Sequence, residues 1–141
     1  MPASQLSPFQ SWLMAARPRT LPAAAAPVLV AIALAWRDGV FHFWAALACL
    51  LISLLMQIGA NFANDLFDHE RGPDTSDRLG PMRVTASGII SPAKMRIGTA
   101  AIFGLASLLG LYLSLRGGWP IVILGISIIL AALASLLLVG A

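Results

Sequence analysis

The sequence predicts an all-α integral membrane protein, and three observations carry that expectation. Hydrophobic residues make up 59% of the chain and charged residues 11%, with a mean hydropathy of +0.86, which leaves too little polar surface for a soluble globule. Four apolar runs, at about 20–36, 41–63, 97–115 and 120–139, approach the roughly 20 residues that a helix needs to cross a bilayer, so four transmembrane helices are expected. The acidic residues are gathered rather than scattered: five of the six lie between positions 61 and 78, where an apolar run ends. Ionisable groups at such a depth are costly and usually serve a function.

Each element follows from its own residues. Positions 1–19 mix Phe9, Trp12, Leu13 and Met14 with Arg17 and Arg19, the composition of a short segment lying at the interface. The first span, 20–36, holds Pro22 in its first turn and Pro27 farther in, where a kink is expected. Arg17 and Arg19 followed by Ala33-Leu34-Ala35 also resemble a signal peptide, but the prolines and the alanine-rich core weigh against that reading. Arg37-Asp38-Gly39 makes a turn, and the second span starts near Trp44, at interfacial depth. From 64 to 96 the chain is polar, and Gly72-Pro73, Gly80-Pro81, Gly88 and Ser91-Pro92 interrupt it too often for a long helix, so a loop with one short helix is expected. In the third span Ala100/Gly104, Ala106/Gly110 and Gly110/Ser114 repeat small residues four apart, which permits close approach by a neighbour. Arg116-Gly117-Gly118-Trp119-Pro120 turns the chain into the fourth span. The whole reads as a single partial transmembrane domain over 1–141.

The cations give the orientation. Arg17 and Arg19 flank the first span and Arg71, Arg78, Arg83, Lys94 and Arg96 lie in the long loop, against Arg37 and Arg116 in the two short turns, so the N-terminus and the acidic loop are expected on the cytoplasmic side. The net charge of +3 is therefore a matter of topology, and no aromatic-basic interleaving points to nucleic acid. The one cysteine, Cys49, excludes an intrachain disulfide and a cysteine-based metal site.

The acidic stretch carries the chemistry. On a helix Asn61, Asn64, Asp65 and Asp68 stand at i, i+3, i+4 and i+7, with Gln57 on the same side one turn earlier, so one face bears two carboxylates and three amides. Carboxylates with amides and few nearby lysines suit a hard cation, and Mg²⁺ in particular is held through one or two carboxylates, waters and substrate phosphates. Asp65 and Asp68 are the best ligands. A cation there would neutralise a diphosphate leaving group, Arg71, Arg78 and Arg83 could add guanidinium contacts to phosphate, and the spans would hold a hydrophobic tail. The plain reading of those arginines as topology-setting charge stands beside this one. An EF-hand fails, because taking Asp65 first places Phe67 third and Glu70 sixth. There is no glycine-rich loop ending in a Walker lysine, and His69 has no partner at metalloprotease spacing.

At Asn64-Asp65-Leu66-Phe67-Asp68 the chain resembles the first aspartate-rich motif of the UbiA superfamily of intramembrane aromatic prenyltransferases. Arg17-Pro18-Arg19-Thr20-Leu21-Pro22 and Asp77-Arg78-Leu79-Gly80-Pro81-Met82-Arg83-Val84-Thr85-Ala86-Ser87-Gly88 narrow the resemblance to the 1,4-dihydroxy-2-naphthoate polyprenyltransferase branch. The resemblance implies a bundle of about nine helices in a bacterial inner membrane, two facing aspartate-rich loops binding a polyprenyl diphosphate through Mg²⁺, and transfer of the prenyl group to the naphthoate with loss of CO₂ and diphosphate to give demethylmenaquinol. It carries Asn64, Asp65 and Asp68 over as the cation and diphosphate group, with Asn61 in support. The usual third aspartate would fall at Gly72, so Asp74 is the nearest further ligand. The second aspartate-rich loop is not in these 141 residues, which implies that a C-terminal half is missing and that this length alone is not active. Two alternatives remain open: a prenyltransferase for 4-hydroxybenzoate or another phenol, and a non-catalytic cation-binding or assembly subunit.

Overall fold

The structure, a computed structural model, describes residues 6–70, 84–85 and 88–140. Ser7 opens the first helix, α1 (Pro8–Ala16), with a capping box: its hydroxyl accepts from the Gln10 amide while the Gln10 side chain accepts from the Ser7 amide. Arg17 then takes up a left-handed conformation, φ 51°, and ends α1. A single 3₁₀ turn, Pro18–Thr20, leads into α2 (Leu21–Arg37). The Arg17 carbonyl accepts from both the amide and the hydroxyl of Thr20, at 2.9 Å each, which closes this corner.

Pro27 lies inside α2 as the sequence requires, and lacks the amide that would continue the helical ladder. In the same turn the Ala24 carbonyl accepts from Ser53 of the next helix at 2.7 Å, a polar tie between spans of the kind favoured where water is absent. A turn through Gly39, φ 73°, connects to α3 (Phe43–Glu70). At 28 residues α3 is about 42 Å long, against a hydrocarbon thickness of about 30 Å, so one end must project beyond the apolar layer. It runs on past the expected boundary at residue 63 and carries 64–70 as helix, because glycine and proline first appear together only at Gly72-Pro73.

The helix α4 (Pro92–Gly117) also starts earlier than expected, with Ser91 accepting from the Lys94 amide and Pro92 in the first turn. Gly118, φ 71°, turns the chain into α5 (Trp119–Gly140). The stretches Pro8–Arg37, Phe43–Glu70 and Pro92–Gly117 are long and apolar enough to cross a membrane, and α5 adds a shorter apolar helix, Trp119–Ala131. Among the described residues there is no strand. This is a multi-pass membrane protein of helical-bundle class.

The hub is α3: α1, α2 and α4 all pack on it, and α5 packs on α4. Glycine decides how closely. A Cβ at Gly59 of α3 would stand 2.8 Å from the Phe103 ring of α4, and one at Gly98 of α4 would stand 2.7 Å from the Trp12 indole of α1. Of the small residues expected to bring helices together, Ala106 is buried, whereas a Cβ added at Gly104 or Gly110 would meet nothing within 4 Å. The buried core gathers at the acidic end, where Ala15, Phe62, Leu66, Val84, Ile90 and Met95 meet and Trp12 packs against Phe62 with ring centroids 5.3 Å apart.

Candidate functional site

The C-terminal third of α3 arranges its polar residues by rotation. Successive helical residues are about 100° apart, so the inward-facing arc takes in two neighbours at a time, and here it holds Asp65 and Leu66 and leaves Asn64 outside. Asn61 and Asp65 turn inward and are almost fully buried, at 4% and 2% exposure; Asp68 is half-buried and Asn64 exposed. The expected polar face is thus an arc with a buried edge and an open edge. Phe62 and Leu66 follow Asn61 and Asp65 by one residue and enter the core, which fixes the rotation of the helix.

Asn61 is committed to holding the N-terminal corner. Its amide donates to the Ala16 carbonyl at 2.8 Å and to the Thr20 hydroxyl at 3.0 Å, and its oxygen accepts from Gln57 at 3.4 Å. Asp65 is committed to the segment that returns to α4. One of its oxygens, Oδ2, accepts both the Thr85 amide at 2.8 Å and the Thr85 hydroxyl at 2.6 Å. Thr85 is itself buried, and its neighbour Val84 accepts from Ile89 at 3.0 Å in a compact turn. At the rim, Arg96 of α4 pairs with Glu70 of α3 across two exposed side chains.

The structure brings together Asn61, Asn64, Asp65 and Asp68 on one helix end. Arg71, Asp74, Arg78 and Arg83 lie outside the described residues. Thr85 and Thr20 are contacts that the sequence pattern does not single out, because hydroxyl partners 20 and 41 residues away leave no local signature. The donors present are all oxygen, which suits a hard divalent cation, although no cluster of three His, Cys, Asp or Glu side chains forms among the described residues. Asp65 and Asp68, one turn apart, are the carboxylates at this end of α3 that a hard cation would use. An open apolar groove of about 460 Å³, lined by Trp44, Leu47, Ala48, Leu51, Leu109 and Tyr112, lies toward the opposite end of α3 and offers no such donors.

A bundle of membrane-spanning helices with amides and carboxylates at the end of one long span defines an intramembrane helical protein with a polar site at its rim. Residues 24–138 match the UbiA prenyltransferase family, and the chain belongs to that family. It is 43% identical over 96 residues, 68% of its length, to the 1,4-dihydroxy-2-naphthoate octaprenyltransferase of Escherichia coli, of which the match covers 31%. The proteins of that name from Mycobacterium tuberculosis and Mycobacterium leprae are 39% and 37% identical over 78% and 90% of this chain, with 37% and 43% of their own lengths covered. The chain therefore spans well under half the length of these relatives. No solved structure matches it.

Proposed function

We propose that this chain is the N-terminal part of an Mg²⁺-dependent enzyme that transfers a polyprenyl group from its diphosphate to 1,4-dihydroxy-2-naphthoate, in a bacterial cytoplasmic membrane with the acidic end facing the cytoplasm. The observation that carries the reading is Asp65 and Asp68 one turn apart at the end of a long apolar helix, one carboxylate buried and fixed, the other half-buried, in a chain of this family. A bound divalent cation would supply the positive charge that makes diphosphate a good leaving group. Asp65 and Asp68 would hold it, Asn64 would donate from its amide to phosphate oxygen, and Arg71, Arg78 and Arg83 would add charge-assisted contacts.

The reaction needs a carbon–oxygen bond to break, with its electron pair leaving on the diphosphate. The ring carbon bearing the carboxylate then bonds to the allylic carbon, and departure of CO₂ returns the electron pair that restores the ring. Apolar helix faces exclude water from the allylic cation. The relatives' greater length leaves room for the second acidic loop and for most of the tail cavity.

The test is Asp65→Asn in a chain extended to the length of its relatives. The amide keeps the shape and one acceptor oxygen for Thr85 while removing the charge, so prenyl transfer should be abolished with membrane insertion intact. Normal turnover would sink the assignment. Supplying 1,4-dihydroxy-2-naphthoate and 4-hydroxybenzoate together in the same membranes then distinguishes the acceptor.

A further inference from the structure

At Asp65, as at the Arg17 carbonyl, one threonine supplies two donors to a single oxygen, but here the acceptor is a buried carboxylate. Both bonds reach Oδ2, from the amide and hydroxyl of Thr85 at 2.8 and 2.6 Å. A carboxylate oxygen has two lone-pair directions, and Thr85 alone brings two donors to this one. The donor is as firmly placed as the acceptor. Thr85 is 1% exposed, its carbonyl accepts from the Gly88 amide at 3.1 Å, and the adjoining Val84 and Ile90 are buried in the core with Phe62, Leu66 and Met95. Gly88 closes the turn at φ 75°, a conformation that residues with side chains rarely adopt.

We propose that Thr85 is the positioning residue of the acidic site: by donating twice to Oδ2 it fixes the orientation in which the Asp65 carboxylate would hold a divalent cation. The proposal rests on the diphosphate-site reading given above. It deepens that reading by naming the residue that orients the Asp65 carboxylate. A neutral acceptor on α3 would suffice to hold the turn, whereas a carboxylate there also offers the kind of ligand a divalent cation takes. The physical precedent is general: carboxylates that bind metal are themselves hydrogen-bonded, and loss of the outer partner weakens binding without removing a ligand.

Thr85→Val tests this, because it keeps the size and the main-chain donor and deletes only the hydroxyl. With the protein in lipid nanodiscs, Mn²⁺ affinity would be read by electron paramagnetic resonance in the presence of inorganic diphosphate. Thr85→Val is expected to weaken it by roughly 10–100-fold, and Thr85→Ser to restore it. Hydrogen exchange at the residue-85 amide, whose own bond to Oδ2 persists, should stay slow in both variants. Mn²⁺ binding by Thr85→Val equal to that of the unaltered protein overturns the positioning role while leaving the diphosphate site standing. Loss of binding in both variants with fast exchange at residue 85 also overturns it, since Thr85 would then only hold the turn. If the unaltered protein, Asp65→Asn and Asp68→Asn all bind Mn²⁺ alike, the diphosphate-site reading fails together with the inference built on it.

Discussion

The two ends of α3 are built on different principles. At the acidic end, two regions far apart in sequence converge on α3: α1 with the 3₁₀ corner, and the Val84–Thr85 turn with the start of α4. There the side chains interlock and buried polar atoms have partners, with none left unpaired among the described residues. At the other end α3 and α4 frame the open groove between Trp44 and Tyr112, and large apolar residues such as Leu108, Leu111, Leu115, Trp119 and Ile123 stand exposed. Such an apolar surface is at ease in lipid and gains little by internal packing. The contrast teaches that rigidity has been concentrated where charged groups must be held, while the remainder of each span needs only to be apolar.

Substitutions can break or sharpen that contrast. The largest effect is expected from Gly98→Leu at the acidic end, because even the first side-chain atom would meet the Trp12 indole at 2.7 Å. Displacing Trp12 from Phe62 should cost about 1–3 kcal/mol, seen as a lowered unfolding temperature and as faster tryptic cleavage after Arg19. Asn61→Ala comes next. It removes the donor to Ala16 and Thr20, worth about 0.5–1.5 kcal/mol per bond, and should loosen the N-terminal corner without changing helix content by circular dichroism. Smallest is Leu108→Ala on the open face of α4, 66% exposed, where a change within about 0.5 kcal/mol is expected. Equal sensitivity at Gly98 and Leu108 would show that the far end is as tightly packed in the membrane as the acidic end.

Family membership gives the contrast its meaning. If the chain works as proposed, the charged head of a prenyl diphosphate would meet the end that fixes its carboxylates and the apolar tail would meet open helix faces. The matched relatives are about 2.3 to 3.2 times as long as the region they share with this chain, and on the same proposal further helices of a longer bundle would pack on those open faces. On that reading the groove of about 460 Å³ is an unfinished helix interface.

Much of this was legible in the residues themselves. Hydropathy alone marks the spans, since in lipid an apolar segment must satisfy its backbone internally and the helix is the simplest way to do so. Spacing alone puts Asn61, Asn64, Asp65 and Asp68 on one side of a helix, and Asn64-Asp65-Leu66-Phe67-Asp68 was enough to bring the family into view. Glycine spacing was a poorer guide. Ala100, Gly104, Ala106 and Gly110 looked like the surface for close approach, yet Gly59 and Gly98 are the glycines that face another helix's ring. A repeat of small residues says that a neighbour can come near, but which neighbour does so depends on how every helix is rotated.

Sequence by itself therefore determined that the chain is helical, lies in a membrane, and bears its carboxylates at the end of one span, because these properties depend on composition and on periodicity within a segment. Only the tertiary structure decided that Asp65 faces inward while Asn64 faces out, that Asn61 holds Thr20, and that Thr85 occupies one oxygen of Asp65. Those outcomes depend on the rotation of α3 about its axis, which is set by burying Phe62 and Leu66 against residues from elsewhere in the chain. Contacts between positions 20 and 41 residues apart have no periodic signature, and become visible only once the chain has closed on itself.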